Sequence, residues 1–445
     1  MPGPRVVPFH GDEVLPKKVD VVVIGGGIIG AATALELAEQ GLAVAVCEKG
    51  GIGHEQSSRN WGWVRLSRRD PREIPLMIEA VKMWETLDKR LGRDTGYKRA
   101  GITFACGTEE QFNTYAEWAK YLEPYQIESH MLDGNEFAEM FPGLQIKPFG
   151  ALHTSIDGRA EPQKAAPAIA EAAREKGVGI FTECAVRGIE TSAGKLSGVV
   201  TERGVIQCDA VVMAGGAWTN LFCQRFGIDV PQLNVLNSVI MTEPVAGGPD
   251  GALWTKAFAL RKRQDGGYTI ASGHENIVDL VPNSIRYGLK FLPSLKEEWR
   301  TLKFRLSGRF FEELRVSKNW KMDEASPFEY NRVLDPVPSK KYADGTLAKL
   351  AETWPIFANA AIAQRWGGYI DVVPDAVPII SAVSSIPGFH IATGFSGHGF
   401  GIAPAAGRLM ADLVSGRKPI VDPTHFRFSR FSDGSKIELM PDMRQ

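Results

Sequence analysis

Cysteine is scarce: five of 445 residues, at 47, 106, 184, 208 and 223. The number is odd and no pair has C-x-x-C spacing, so neither a disulfide framework nor a zinc ribbon is expected, and a reducing compartment fits. Excess charge of one sign is also missing. Fifty-one Lys and Arg stand against 52 Asp and Glu, a net charge of −1, which gives no global field for nucleic acid. The local basic clusters, Arg65, Arg68 and Arg69 or Arg261, Lys262 and Arg263, read by default as solvated surface. No apolar run reaches the roughly 20 residues of a membrane span. The most apolar one, Val21 to Leu35, is glycine-rich and soon meets Glu36 and Glu39. The opening MPGPRVVPFHGDEVLPKK is broken by prolines and has no apolar h-region, so no secretory signal and a cytoplasmic location are expected. No Ser/His/Asp triad and no metal-ligand cluster stands out.

Glycine, by contrast, is abundant, with 47 residues. The clearest unit is VDVVVIGGGIIGAATALELAEQGLAVAVCE, residues 19–48. Val19 to Ile24 is a β-branched run suited to a strand buried on both faces. Gly25–Gly27 turn the chain, Ile28 to Gln40 has helical periodicity, and Leu42 to Cys47 is a second strand. This is a βαβ unit. Gly25-x-Gly27-x-x-Gly30 has the spacing of a dinucleotide fingerprint: a tight turn, backbone access to the pyrophosphate, and close helix–strand packing. The helix N-terminus, with Ile29 in its first turn, offers free N–H groups to phosphates. Glu48, at the end of the second strand, is placed for the ribose hydroxyls, and its charge argues against a 2′-phosphate.

Further on, helices are expected at Ile74–Leu91, Gln111–Leu122, 161–176, within Leu295–Val316 and around Thr346–Trp354. Strands are expected at Ile102–Cys106, Gly179–Thr182, Cys184–Ile189, Val235–Thr242, Tyr268–Ala271 and Gly388–Thr393, with a hairpin across Val199–Cys208. A helix at Pro404–Gly416 closes the pattern. A second glycine cluster, Gly394-Phe-Ser-Gly-His-Gly-Phe-Gly401, puts four glycines in eight residues and implies a tight turn or close approach. After Glu48 the chain does not continue an alternating α/β pattern. It enters polar, small-residue sequence and returns to the buried strand DAVVMAGGAWT only at 209, which favours FAD over NAD. The fold class is α/β: a Rossmann-type FAD-binding domain with an inserted α+β substrate domain of antiparallel sheet plus helices. The FAD-binding domain is discontinuous, 1–93, 151–228 and 365–445; the substrate domain takes 94–150 and 229–364.

Four blocks, the fingerprint, SSRNWG at 57–62, AVRGIE…DAVVMAGGAWT at 185–219 and RWGGYIDVVPDAVPII…FHIATGFSGHGFGIAPAAG at 365–407, carry a resemblance to the D-amino acid oxidase flavoprotein family. The likeness is closer to its glycine oxidase and sarcosine oxidase branch, and the blocks leave most of 229–364 uncovered. The resemblance implies that Gly394, Gly397, His398, Gly399 and Phe400 pass beside the flavin, with a helix start near Ala403 directing its dipole at the ring's N1/O2 edge. It implies that Ser57, Ser58 and Arg59 line the pyrophosphate and ring, that Val186 meets the adenine, and that Ala214 and Gly215 face ribose and phosphate. His398 is a flavin neighbour and not a general base.

The same resemblance implies chemistry: hydride equivalents leave a C–H beside nitrogen for flavin N5, and the imine hydrolyses. Laid on a Gly-x-x-Arg-x-x-Arg pattern of monomeric sarcosine oxidase, Gly62 to Arg68 makes Arg65 the flavin neighbour and Arg68 the substrate carboxylate anchor, a task suited to a forked guanidinium. Two departures matter. Gly401 stands where that enzyme has a lysine, which leaves room for a bulkier substrate. Arg365-Trp-Gly-Gly-Tyr369 lacks its flavin-bearing cysteine, so FAD is expected to be noncovalent. Trp61, Trp63, Trp366 and Tyr369 are candidate aromatic walls. Tyr268, His274 and Arg332 are candidate pocket residues, and Arg261 and Arg263 alternative anchors beside Arg332. The substrate is expected to be a small amine or amino acid, and the electron acceptor O2 or a dye, quinone or protein carrier. The competing functions are a flavin-bearing structural subunit, an FAD monooxygenase and an NAD-only dehydrogenase.

Overall fold

The computed structural model describes residues 3–273, 276–298 and 302–439. The β-branched run forms β1, Val21–Ile24, with all four residues buried. Gly25 follows at φ +111°, in the left-handed region open to glycine, and a Cβ there would stand 2.5 Å from the Ala214 carbonyl oxygen. Helix α1, Ile28–Glu39, leads to β2, Val44–Cys47. After β2 come a short helix α2 at Gln56–Arg59, β3 at Trp63–Val64, α3 at Ile74–Leu91, β4 at Lys98–Arg99 and β5 at Ile102–Cys106.

β1 is central in a six-stranded sheet, parallel to β2 on one side and to the strand Ala210–Met213 on the other. Gly179–Phe181 extends it beyond β2, and Phe389–Thr393 extends it beyond Ala210–Met213. One antiparallel edge strand, Ile379–Ala382, closes the far side. α1 packs together with the helices Pro162–Glu175 and Gly399–Ser415 in one apolar core on this sheet. The expected hairpin is found in a three-stranded antiparallel sheet, Val186–Ser192, Lys195–Thr201 and Gly204–Gln207.

A second, ten-stranded mixed sheet carries β5 and the strands Leu233–Thr242, Ala252–Trp254, Ala259–Lys262 and Tyr268–Ala271. Its longest pairing joins Leu233–Thr242 to Ile362–Val372, a strand that runs across position 365 toward the first sheet. A small sheet, β3 and β4 on either side of Gly158–Arg159, lies between the two larger ones in the chain's path.

Two expectations need correction. No single helix fills Leu295–Val316: helices cover Leu292–Glu298 and Arg309–Arg315, and Leu302–Arg305 is a strand paired parallel to Asn276–Asp279. The C-terminal helix begins at Gly399, not Pro404, so its N-terminus lies inside the second glycine cluster. No described helix is long and apolar enough to cross a membrane.

Candidate active site

The C-terminal ends of β1 and β2, α2, β3 and the Gly399 helix converge on one cavity of about 580 Å³, within the size range of cofactor and ligand sites. At one end the fingerprint supplies Gly25, Gly27 and Ile29. Ser57 reaches the same turn, its Oγ accepting from Ile28 N at 2.8 Å. The Glu48 carboxylate accepts from Gly26 N at 2.6 Å and from Gly50 N at 2.7 Å, one bond on each oxygen. Burial pushes its pKa up, while spare lone pairs remain for hydroxyl donors. Arg59, Val186, Ala214, Gly215, Gly397, His398, Gly399 and Phe400 also line the cavity.

Three of the expected cofactor-binding residues do not line it. Gly30 packs its Cα face on the Gly25 carbonyl, which is the close helix–strand contact the fingerprint requires. Ser58 is buried in the turn of α2, with its hydroxyl donating to Glu55 O at 3.3 Å. Gly394 has its open face against Val373 and donates its N–H to Asp371 Oδ2 at 2.8 Å.

The other end is aromatic and cationic. Trp61, Trp63, Phe104, Trp254 and Tyr369 line it. Trp61 and Trp63 meet edge to face at 5.3 Å, Trp63 and Phe104 at 5.8 Å, and Phe104 and Trp254 lie 6.0 Å apart. Arg68 sits among these rings, 4.4 Å from the Tyr115 centroid, 5.3 Å from Phe104 and 5.8 Å from Trp254, a favourable setting for a cation. Its backbone has φ +54°, a costly conformation for a residue other than glycine that the surroundings must hold in place. The buried Asp157 does so, accepting from Leu66 N at 2.6 Å, Ser67 N at 3.3 Å and the Ser67 hydroxyl.

Arg65 is half-buried and donates to Ser67 O at 2.6 Å. Burial, then the Arg69 and Arg68 charges, pull its pKa down to about 9, so it stays cationic at neutral pH. Arg69, expected from its basic run to be solvated, is buried, lines the cavity and donates to His398 O at 3.2 Å. His398 itself is held neutral, its pKa drawn well down by burial and by Arg69 and Arg65. Gly401 lies against β3: a Cβ there would be 3.0 Å from Trp63 O and 3.1 Å from Val64 Cα. Glycine at 401 thus lets the helix N-terminus sit on the strand.

Trp366 is core and not wall: it is buried and its Nε1 donates to Arg59 O at 3.0 Å. Tyr268 is also off the cavity, donating to Pro249 O at 2.8 Å. Each alternative anchor is already paired with a carboxylate: Arg261 with Glu161 at 2.9 and 3.1 Å, Arg332 with Glu202 at 2.7 and 2.6 Å, and Arg263 with Asp265 at 3.0 Å. His274 lies outside the described residues. Sequence reasoning missed Phe104, Tyr115 and Trp254, which sequence spacing does not connect to Arg68.

A flavin dinucleotide fits these residues. Gly27 caps α1 without a side-chain acceptor, and the buried Trp63 Nε1 has no hydrogen-bond partner among the described residues, leaving a donor for an occupant.

The family model described as "FAD dependent oxidoreductase" matches residues 20–413. The structure of L-amino acid deaminase from Proteus myxofaciens, solved with anthranilate, superposes with a TM-score of 0.93 at 33% identity, covering 97% of both chains. Glycine oxidase of Pseudomonas aeruginosa is 26% identical over 414 residues, 91% of this chain and 97% of its own. Mouse mitochondrial sarcosine dehydrogenase is 22% identical over 447 residues, 96% of this chain; the chain spans 43% of that protein's length.

Proposed function

Because the chain belongs to the FAD-dependent oxidoreductase family, we propose that it oxidises the C–N bond of an amino acid or secondary amine, and that its preferred substrates carry an apolar side chain. The observation that carries this reading is a single cavity joining the fingerprint to an arginine ringed by aromatics. Bound FAD supplies the redox chemistry, a hydride acceptor at N5 for the hydrogen on the carbon beside nitrogen, and the imine product hydrolyses in water.

The protein's own groups bind and orient. Gly25, Gly27, Ile29 and Ser57 take the pyrophosphate at the N-terminus of α1. Glu48 takes the ribose, Val186 the adenine side, and Ala214 and Gly215 the adjoining phosphate. The N-terminus of the Gly399 helix and cationic Arg65 face the ring, where negative charge develops on reduction. Arg68 grips the substrate carboxylate through its fork. Trp61, Trp63, Phe104 and Trp254 cover the side chain and exclude water around the reacting carbon. On this reading 1–93, 151–228 and 365–445 hold the cofactor and 94–150 with 229–364 shape the substrate side, the strand Ile362–Val372 serving both.

The cofactor is held without a covalent bond, since Gly368 and Tyr369 border the cavity where a tethering cysteine would be expected. Acid precipitation is expected to release FAD into the supernatant; a pellet that stays yellow contradicts this. Function is tested by an anaerobic screen of amino acids and amines, following the oxidised-flavin band. Aromatic and branched aliphatic amino acids are expected to bleach it faster than glycine or sarcosine. The opposite order contradicts the aromatic wall as a side-chain site. Mixing reduced protein with oxygen, against a dye, then assigns oxidase or dehydrogenase.

A further inference from the structure

Two helix N-termini meet behind the cavity and bring two buried polar atoms face to face. Glu73 is the N-cap residue of α3 and His398 that of the Gly399 helix, and neither side chain makes a capping hydrogen bond. They turn toward each other instead: His398 Nδ1 stands 3.7 Å from Glu73 Oε1. Both residues are buried, and neither of these atoms has a hydrogen-bond partner among the described residues. A shift of roughly 1 Å brings them to hydrogen-bond distance, and the cost of leaving both unmet favours it. The other carboxylate oxygen, Oε2, takes Arg69 Nη1 at 3.4 Å, and Arg69 Nη2 reaches the His398 carbonyl at 3.2 Å. Arg69 and His398 both line the cavity.

The charges decide where the proton sits. Arg69 and Glu73 form a buried ion pair, and a neutral Glu73 would leave that guanidinium without this partner. Burial pushes the Glu73 pKa up, with Asp375 adding to the rise, but Arg69, Arg65 and Arg72 oppose it. The positive end of α3 favours the carboxylate as well. His398 stays neutral through burial and the charges of Arg69, Arg65 and Arg68, with Asp70 opposing. One ring nitrogen therefore carries a proton and the other a lone pair. A lone pair on Nδ1 would confront an anionic oxygen, whereas an N–H there satisfies it.

We propose that Glu73 is a positioning residue of the redox site: it fixes His398 as the Nδ1–H tautomer and leaves Nε2, away from Glu73, as the bare acceptor of a cavity-lining ring. The inference rests on the reading of this cavity as the flavin site. An acceptor beside the flavin disfavours the negative charge that reduction brings, and so offsets part of the pull of Arg65 and the Gly399 helix N-terminus. Glu73 thus acts on the reduction potential through His398 and takes no proton in the reaction.

Nitrogen NMR of FAD-loaded protein carrying isotope-labelled histidine tests it. The chain has eight histidines, and the His398 signals are assigned by their loss in His398→Gln. Wild type is expected to carry the proton on Nδ1. Glu73→Gln is expected to move it to Nε2, because Arg69 only donates, takes the amide oxygen and leaves the amide NH2 for Nδ1. With a carboxylate lost and a donor gained, the flavin of that variant should be easier to reduce. The expected shift against a reference dye is roughly tenfold in the equilibrium, about 30 mV for a two-electron couple. Glu79→Gln, which removes a charge farther along α3, is expected to change neither tautomer nor potential. A wild-type proton on Nε2 overturns the proposal, and this result does not depend on how well any Glu73 variant folds. Glu73→Gln with unchanged tautomer and potential overturns it too, as does an equal potential shift in Glu79→Gln. Protein that binds no FAD would count against the flavin reading instead, and the tautomer can be measured on it all the same.

Discussion

The two ends of the main cavity are built by different means. The fingerprint end is mostly backbone: the turn at Gly25, the uncapped start of α1, and N–H groups gathered by Ser57 and Glu48, all within one short stretch of chain. The aromatic end is side chain throughout, drawn from β3, β5, the strand Ala252–Trp254 and Ile362–Val372. A backbone-built end has no room for an added side chain, so it should fail all at once. A side-chain-built end should lose function by degrees.

The largest effect is therefore expected from Gly27→Val. A Cβ there already stands 3.1 Å from Ser57 Oγ, and the branched side chain would fill the approach to the pyrophosphate. The purified variant is expected to carry no FAD; normal flavin content would show that the fingerprint does not hold the cofactor.

Arg68→Ala comes next. Losing a buried charge-assisted pair costs about 2–5 kcal/mol, roughly 30- to several-thousand-fold in kcat/KM. The flavin spectrum is expected to hardly change, whereas Arg65→Ala is expected to perturb it. Arg68→Lys should recover part of the loss, because a point charge replaces a fork. Wild-type kinetics in Arg68→Ala would leave Arg68 as a buried cation of the aromatic cage and not the carboxylate anchor.

Trp63→Phe should fall lower on the scale. It removes one hydrogen-bond donor, about 0.5–1.5 kcal/mol, or roughly 2- to 13-fold in kcat/KM. An unchanged value would leave Trp63 Nε1 without an occupant.

The smallest effect is on stability. Asp371 is buried at the junction of the two ends, and burial raises its pKa to about 6. Folded protein then binds a proton that the unfolded chain has released between about pH 4 and pH 6. Stability from this group accordingly falls as pH rises through that window. Its three bonds from Gln232, Thr393 and Gly394 all converge on Oδ2, so Asp371→Asn can keep them while removing the ionisation. The variant's denaturation midpoint should change less with pH across that window than wild type; an identical slope would locate the titration elsewhere.

The same division explains what the sequence made legible. Val21–Ile24, Gly25 and α1 are specified by residues within reach of one another, and each was placed to within a residue or two. Sequence pattern alone starts the Gly399 helix five residues late, because Gly399 and Gly401 look like breakers. Its glycine at 401 answers instead to the backbone of Trp63 and Val64, more than 300 positions away in the sequence. Leu295–Val316 kept a helical apolar pattern, yet non-local pairing with Asn276–Asp279 makes part of it a strand. Arg69 was indistinguishable from a solvated charge until α3 and the Gly399 helix enclosed it. The cage around Arg68 depends on the register of β5 with Ala252–Trp254, which spacing along the chain does not encode.

The most direct measurement compares an amino acid with the amine left by removing its carboxylate, each mixed anaerobically with wild-type protein and with Arg68→Ala, following flavin reduction. Wild type is expected to be reduced at least roughly 30-fold more efficiently by the amino acid, and Arg68→Ala to react with both equally slowly. If Arg68→Ala still prefers the amino acid by the wild-type ratio, then Arg68 does not hold the carboxylate and the fingerprint and the aromatic cage do not form one working site.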